Sequence, residues 1–305
     1  MGNLNNRSVF VIVLADRIAS HVRQRYSFTV DKLPLLGPDR MRTPYYGLFR
    51  SDTCEAVGGG SVSSRYCPHT IDDVLALVEA ASIAFDGVAA VQCGFRDGHW
   101  LAVQPNNPSP LEVFGKVDIA CPRLIIDAPY AEKASFRASI GYYRDCCRTL
   151  VIMRLVDGVS VSIRHTRQLR LKMDELAETL RSLRNGWANL CYAIQRMEQR
   201  QVSIDGFLRA VYGKRADTNS RAAASFRGTR TEEITQRLLF DRARTGRGEL
   251  GPGCLVSAWE AFNAIQWYVQ HAVARPGTPD SIERIILAAS DAAAARAERL
   301  ASTLT

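Results

Sequence analysis

The sequence has no long hydrophobic run. Its first apolar stretch, from Val9 to Ala15, is short and is followed at once by Asp16 and Arg17. A membrane-spanning helix needs roughly 20 apolar residues, so we expect neither a membrane span nor a secretory signal. We therefore expect a cytoplasmic protein, in which disulfides are rare because cytosolic thiols are kept reduced.

The sequence also lacks the motifs of common metal sites and active sites. None of its 8 cysteines has a neighbour at the C-x-x-C spacing of a zinc knuckle or redox motif, and its 5 histidines are scattered. It contains no G-x-S-x-G, H-E-x-x-H or Walker-type phosphate loop. We therefore predict a protein without a metal or another cofactor, and we do not predict an enzyme.

One arrangement keeps an enzyme open as a third alternative. Cys146 and Cys147 lie between Arg144 and Arg148, and neighbouring cations lower the pKa of a thiol. His165 would be the base that activates Cys147. The opposing interpretation, which we favour, is that alternation along a strand buries one thiol and exposes the other.

Positive charge is in excess. The 305 residues include 39 Lys and Arg against 31 Asp and Glu, for a formal net charge of +8. The composition is otherwise that of a folded protein, since 47% of the residues are hydrophobic and 23% are charged. Net positive charge attracts polyanions such as nucleic acid, and an excess of this size mildly favours such a partner.

The front half of the chain has the patterns of strands, turns and one helix. A strand is predicted from Tyr45 to Arg50, and a returning strand from Cys54 to Val62. A helix is predicted from Ile71 to Phe85, with Thr70 as its N-cap and Asp73 completing a capping box.

Two hairpins are predicted from Asp-Gly dipeptides between β-rich runs, because both residues tolerate the positive φ of a tight turn. The first joins Val88–Phe95 to His99–Val103, and the second joins Leu150–Val156 to Val159–Ile163. We expect residues 1–168 to form a strand-rich α+β core, a curved antiparallel sheet with a helix.

From residue 169 the hydrophobic period becomes helical. Apolar residues recur at alternate steps of four and three from Leu169 to Met197, which predicts one long helix with a heptad seam. The seam either packs within its own domain, which we favour, or pairs with a second subunit. The fold class is therefore α+β, with a helical region over 169–305. Further helices are predicted at Ile204 to Tyr212, Glu232 to Arg244, Val256 to Ala274 and Ser281 to Ala301.

Arginine and aromatic residues alternate near the predicted strand ends, a combination that single-strand nucleic-acid binders use. Two basic segments, 212–231 and 242–248, are predicted as loops that would follow a phosphate backbone. The alternative is an ordinary solvated surface whose aromatic rings face the core. The predicted nucleic-acid-binding residues are Arg137, Tyr143, Arg144, Arg148, Arg164, His165, Arg167, Lys214 and Arg215.

Two parts of the sequence resemble a known family. Phe136–Leu150 followed by Ile163–Thr166 is similar to an R-x-x-C-x-N-x-L … RHT region, and Trp259–His271 is similar to a W-x-x-Y-N-A-x-x-E-Y-x-x-H helix. These two patterns are those of a phage- and plasmid-borne family known as domain of unknown function 932, which the sequence therefore resembles. The resemblance covers about residues 45–275.

The sequence differs from the motifs of that family at two places. Arg148-Thr149 stands where the family has Asn and a small residue, and Gln266-Trp267 replaces its usual acidic pair of positions. The resemblance implies a role in the DNA metabolism of mobile elements, and it implies no particular chemistry.

The order of hairpins and helix also resembles, in topology alone, the Rad52-type single-strand annealing proteins of phages. That likeness implies a homo-oligomer that needs no cofactor and anneals single-stranded DNA in recombination or replication. The alternative function is a protein-binding counter-defence or regulatory factor of a mobile element, with the helical half as its interface. The Cys147 and His165 enzyme is the third.

Overall fold

The computed structural model describes residues 19–58, 60–95, 98–115, 117–131, 136–144, 146–147, 149–163, 173–212, 221–250, 252–272 and 292–303. These residues form two compact units. The first holds the described residues of Met1–Ser109, Arg123–Ile140 and Ser160–Asn185, and the second those of Pro110–Pro122, Gly141–Val159 and Gly186–Thr305. The predicted boundary at residues 168 and 169 lies outside the described residues.

The strands are β1 (Val30–Leu36), β2 (Arg42–Arg50), β3 (Val88–Phe95), β4 (Gly98–Pro105), β5 (Leu111–Val113), β6 (Asp118–Pro129), β7 (Phe136–Arg144), β8 (Thr149–Val151), β9 (Ser160–Ile163), β10 (Gln201–Ser203) and β11 (Leu255–Ser257). The helices are α1 (Ile71–Ala84), α2 (Met173–Arg181), α3 (Leu183–Gln199), α4 (Ile204–Tyr212), α5 (Arg221–Arg244), α6 (Ala258–Trp267) and α7 (Ala292–Thr303). This confirms the predicted class, an antiparallel, strand-rich N-terminal half and a helical C-terminal half.

In the first unit, the strand predicted from Tyr45 to Arg50 is confirmed as β2, and its predicted return strand is confirmed only in part. β2 pairs along its length with β1, and the described residues of the segment Cys54–Val62 run antiparallel to β2 with isolated bridges at Ala56 and Val62. Cys54 has a φ of 57°, which interrupts the extended conformation at the start of the predicted return strand.

The predicted helix over Ile71 to Phe85 is confirmed as α1. The side chain of Thr70 accepts a hydrogen bond from the Asp73 N–H at 3.3 Å, and the Asp73 carboxylate accepts one from the Thr70 N–H at 2.8 Å. This reciprocal capping box stabilises the first turn, and the helix then packs against α2.

The first predicted hairpin is confirmed as β3 and β4, which pair on either side of residues 96–97. β4 continues the antiparallel ladder onto β6, and β6 lies next to β7, whose first residues pair with β9. The sheet of the first unit therefore runs in the order β3-β4-β6-β7-β9.

The second predicted hairpin is wrong. β8 pairs with Tyr142–Arg144 of β7, and β9 pairs with Phe136–Ser139, so the two predicted arms contact separate ends of one strand. The intervening loop packs on α3 instead. A Cβ atom on Gly186 would lie 2.1 Å from the Gly158 carbonyl oxygen, so only glycine permits this approach.

The single long helix predicted from Leu169 to Met197 is also wrong, because α2 and α3 are separate helices with a turn at Ser182. The seam itself is buried within this chain, as the favoured interpretation expected. Its described and buried members are Leu176, Leu180, Leu183, Trp187, Leu190, Ile194 and Met197.

In the second unit, β5 pairs with the first residues of β6, and β10 pairs with β11. α4 and α6 pack against α7, and α5 packs against α6. The basic segments are not simply loops. α5 begins at Arg221 and ends at Arg244, so only residues 245–248 of the second segment lie in a loop, and residues 213–220 lie outside the described residues.

Candidate nucleic-acid interface

Of the predicted nucleic-acid-binding residues, the structure describes Arg137, Tyr143 and Arg144. Arg137 is exposed on β7, opposite Ser162 of β9, with its buried neighbours facing the other side of the strand. Tyr143 is half-buried and lies opposite Leu150 of β8. The predicted residues outside the described part of the chain are Arg148, Arg164, His165, Arg167, Lys214 and Arg215.

Arg144 lies in the interior of the second unit. Its Nη2 and Nε donate to Asp118 Oδ2 at 2.6 Å and 2.9 Å, and the two side chains are only 4% and 2% exposed. The guanidinium also lies 5.7 Å from the Trp259 ring centroid. We therefore correct its predicted role, because its charge is used inside the protein and is not presented to a phosphate.

The buried ion pair extends toward α5. Arg144 Nη1 lies 3.8 Å from Asp241 Oδ2, and Asp241 accepts from Arg237 Nη2 at 2.7 Å. Buried charges require compensation of this kind, since breaking a buried pair typically costs about 3–5 kcal/mol. These consecutive ion pairs, in which acidic and basic side chains alternate, link β6, β7 and α5 within the second unit. We assign them a structural role.

The outward side of α3 carries a different set of side chains, which we call the outer face of α3. Its members are exposed and recur at steps of three and four along the helix. Tyr192 is 62% exposed, and the Arg196 guanidinium lies 5.6 Å from the centroid of its ring. The outer face comprises Asn189, Tyr192, Gln195, Arg196, Gln199 and, directly after the helix, Arg200.

No exposed carboxylate interrupts this surface within residues 186–200, all of which the structure describes. Their one acidic residue is Glu198, which is half-buried and accepts a hydrogen bond from the Phe114 backbone N–H at 2.9 Å. Over residues 186–200 the outer face therefore presents an aromatic ring, amides and guanidinium groups, and no exposed carboxylate.

A second aromatic surface lies on α5. The Arg237 guanidinium lies 5.1 Å from the Phe240 ring centroid and 5.0 Å from that of Trp267. Together with Glu233 and Gln236 they line an open groove of about 360 Å³. Because Phe240 is 55% exposed, this groove is apolar along one side.

In the first unit, two buried histidines lie among aromatic rings. His69 Nε2 lies 3.3 Å from His99 Nδ1, and the His69 ring stacks on Tyr130 with centroids 3.9 Å apart. Burial, with a smaller contribution from the Arg50 guanidinium, lowers the pKa of His99 to about 4. His99 is therefore neutral at neutral pH and belongs to the core of this unit.

Within the described residues, no group of three or more His, Cys, Asp or Glu side chains is arranged to hold a metal ion. The helices in that part of the chain also include none with the length and hydropathy of a membrane span. Cys147 is 6% exposed and Cys146 is half-buried, and the base predicted for Cys147, His165, lies outside the described residues.

Sequence reasoning missed the outer face of α3, although a signal was present. The heptad pattern directed attention to the inward positions, and the same pattern places Tyr192 and Arg196 outward. No comparable signal could have identified Arg144 as buried, because its partner Asp118 is 26 residues earlier in the chain.

Comparison with known proteins gives a family and no function. The sequence model of the domain of unknown function 932 (DUF932) matches residues 59–302. No curated protein matches the chain significantly, and no solved structure does.

Proposed function

The chain belongs to the DUF932 family, and from its own residues we propose that it binds single-stranded nucleic acid. The observation that carries this proposal is the outer face of α3, where Tyr192 and Arg196 are exposed side by side. The proposed role is annealing of single-stranded DNA in the recombination or replication of a phage or plasmid.

The chemistry of the outer face fits a single strand better than it fits a protein surface. An exposed ring offers a platform on which a base stacks, worth about 1–3 kcal/mol per base. Guanidinium groups beside the ring neutralise phosphates, and side-chain amides donate to phosphates or base edges. From Asn189 to Gln199 the face is about 15 Å long, at roughly 1.5 Å per helical residue.

The overall charge supports the same partner. The formal net charge of +8 favours association with a polyanion, and it makes the expected affinity sensitive to salt. Arg137, exposed on β7 in the first unit, is a further predicted phosphate contact.

Annealing adds a requirement beyond binding. Two strands must be brought together, and a homo-oligomer would present several copies of the outer face of α3 to them. The heptad seam does not support this part of the proposal, because its described residues are already buried within one chain.

Replacement of Tyr192 tests the binding proposal. Tyr192→Ala removes the stacking platform and is expected to weaken binding to a fluorescently labelled single-stranded oligonucleotide by about 5- to 150-fold, measured by anisotropy. Tyr192→Phe keeps the ring and should bind like the wild type.

The matched control is Tyr45→Ala, which removes a comparably exposed tyrosine, 54% exposed, from β2. It should leave the affinity unchanged. Equal affinities of the wild type and the folded Tyr192→Ala variant would overturn the assignment of this surface.

A second candidate function is favoured by the groove on α5. Phe240 and Leu239 are exposed on this helix, and exposed apolar side chains beside a groove are typical of protein-binding sites. A protein-binding counter-defence or regulatory factor would use this groove. It becomes the leading proposal if the folded protein binds neither single-stranded nor duplex DNA at low salt.

A further inference from the structure

The outward side of α5 has an exposed ring next to a groove. Phe240 is 55% exposed, and it forms one side of the groove of about 360 Å³ described above. The residues around it recur at steps of three and four, so they lie along one side of the helix. We call this surface the outer face of α5, and it comprises Glu233, Gln236, Arg237, Phe240, Ala243 and Arg244.

The two ends of the outer face of α5 carry opposite charges. Glu233 is half-buried at one end, Arg244 is exposed at the other, and Phe240 lies between them. Within the described residues neither charged side chain is in an ion pair, and Arg244 donates instead to the Cys146 carbonyl oxygen at 3.3 Å. A face that is acidic at one end and basic at the other is complementary to a second copy of itself in the antiparallel direction.

The same antiparallel arrangement brings the ring and the groove together. When Glu233 lies opposite Arg244 of the partner subunit, Phe240 lies opposite Arg237 of the partner subunit. This follows because Phe240 comes seven residues after Glu233 and Arg237 comes seven residues before Arg244. Since Arg237 lines the groove, a single register pairs the charges at both ends and places the Phe240 ring of each copy against the groove of the other.

We propose that the outer face of α5 binds a second copy of this chain, with the two α5 helices antiparallel about a two-fold axis. The proposal is independent of nucleic-acid binding, because the outer face of α3 is on a different helix. The dimer would present two copies of that face, which is what annealing of two strands requires.

The dimer is expected to be weak. One helix face of about 16 Å, at roughly 1.5 Å per residue from Glu233 to Arg244, is small compared with a standard interface of about 1,600 Å². Interfaces at the small end of that range are transient, so we expect a dissociation constant of about 1–100 μM.

Sedimentation velocity of the nuclease-treated, full-length protein measures the association without bridging nucleic acid. The sedimentation coefficient should rise from that of a monomer to that of a dimer as the concentration increases from about 1 to about 300 μM. A monomer throughout this range would overturn the proposal and would leave the groove to a different protein.

Charge reversal tests the partner and its direction. Glu233→Arg places arginine opposite Arg244 of the partner subunit, and Arg244→Glu places glutamate opposite Glu233 of the partner subunit. Each variant alone should dimerise at least about tenfold more weakly, because two attractions become two repulsions. An equimolar mixture of the two variants should dimerise like the wild type, because both charge pairs of the mixed dimer are again opposite.

Arg209→Glu reverses a charge at an exposed position on α4 and is the matched control, which should dimerise like the wild type. Circular dichroism checks that every variant is folded. A dimer that neither reversal weakens forms through another surface and would overturn the proposal. So would a mixture of the two variants that remains monomeric.

Replacement of Phe240 tests the contact between the ring and the groove. Phe240→Ala removes two rings from the dimer and should weaken it by about 30-fold or more, as expected of a central aromatic residue. Leu239→Ala removes a side chain that is 39% exposed on the same helix but lies outside this face, and it should leave the dimer unchanged. Equal dimerisation of the Phe240→Ala variant and the wild type would also contradict the proposed interface.

Discussion

The two compact units bury their polar groups in opposite ways. In the first unit, His99 is buried beside His69 among aromatic rings and is neutral at neutral pH. In the second unit, Asp118 and Arg144 are buried as an ion pair. A neutral buried base is stable only while it stays unprotonated, whereas a buried ion pair is stable only while both partners are present. The first unit should therefore be sensitive to acid, and the second to the loss of one charge.

The largest expected effect comes from breaking the ion pair. Asp118→Asn leaves the Arg144 guanidinium buried without its nearest negative charge and should lower the free energy of unfolding by about 3–5 kcal/mol. Urea denaturation near neutral pH measures this loss, and hydrogen exchange should place it in the strands and helices of the second unit. The matched double variant Asp118→Leu with Arg144→Met removes both charges and should recover most of the stability.

A loss below about 1 kcal/mol in Asp118→Asn, within the range of surface ion pairs, would remove the contrast between the two units. It would mean that solvent or Asp241 compensates the Arg144 charge without Asp118.

The next effect is the response of the first unit to acid. The pKa of His99 is lowered from 6.5 to about 4 on folding, so the unfolded chain binds the proton more tightly. The free energy of unfolding is therefore highest above about pH 6.5 and decreases as the pH falls toward 4. The total decrease from His99 is about 3 kcal/mol.

Urea titrations at several pH values between about 7.5 and 4 measure this loss, with His99→Gln as the control. The variant should show a flatter pH dependence, because its amide does not titrate. An identical slope in the wild type and in His99→Gln would show that other groups cause the acid sensitivity.

What could be predicted from the sequence was local. The Thr70 and Asp73 capping box and the β3–β4 hairpin depend on residues a few positions apart, and both were confirmed. The Asp157-Gly158 dipeptide has the same hairpin signal, yet its loop packs on α3, where Asn189 Nδ2 donates to the Asp157 carbonyl oxygen at 3.0 Å. A tertiary contact 32 residues away therefore overrides a turn preference.

The residues of the candidate site also differ in whether local sequence determines their environment. The helical period determines which side of α3 faces outward, so Tyr192 and Arg196 could have been identified as exposed from the sequence. The burial of Arg144 depends on Asp118 and Trp259, which reach it from distant parts of the chain. Side-chain chemistry alone does not distinguish an arginine that contacts phosphate from one that holds a core together.

The most direct test of the central claim, that the outer face of α3 binds a single strand, is the salt dependence of binding. Each phosphate contact to single-stranded DNA contributes about 0.7 to the slope of log affinity against log salt. Arg196→Gln should reduce the slope by about that amount, whereas Arg209→Gln, which removes the same charge from an exposed position on α4, should leave it unchanged. Equal slopes for both variants and the wild type would contradict the claim.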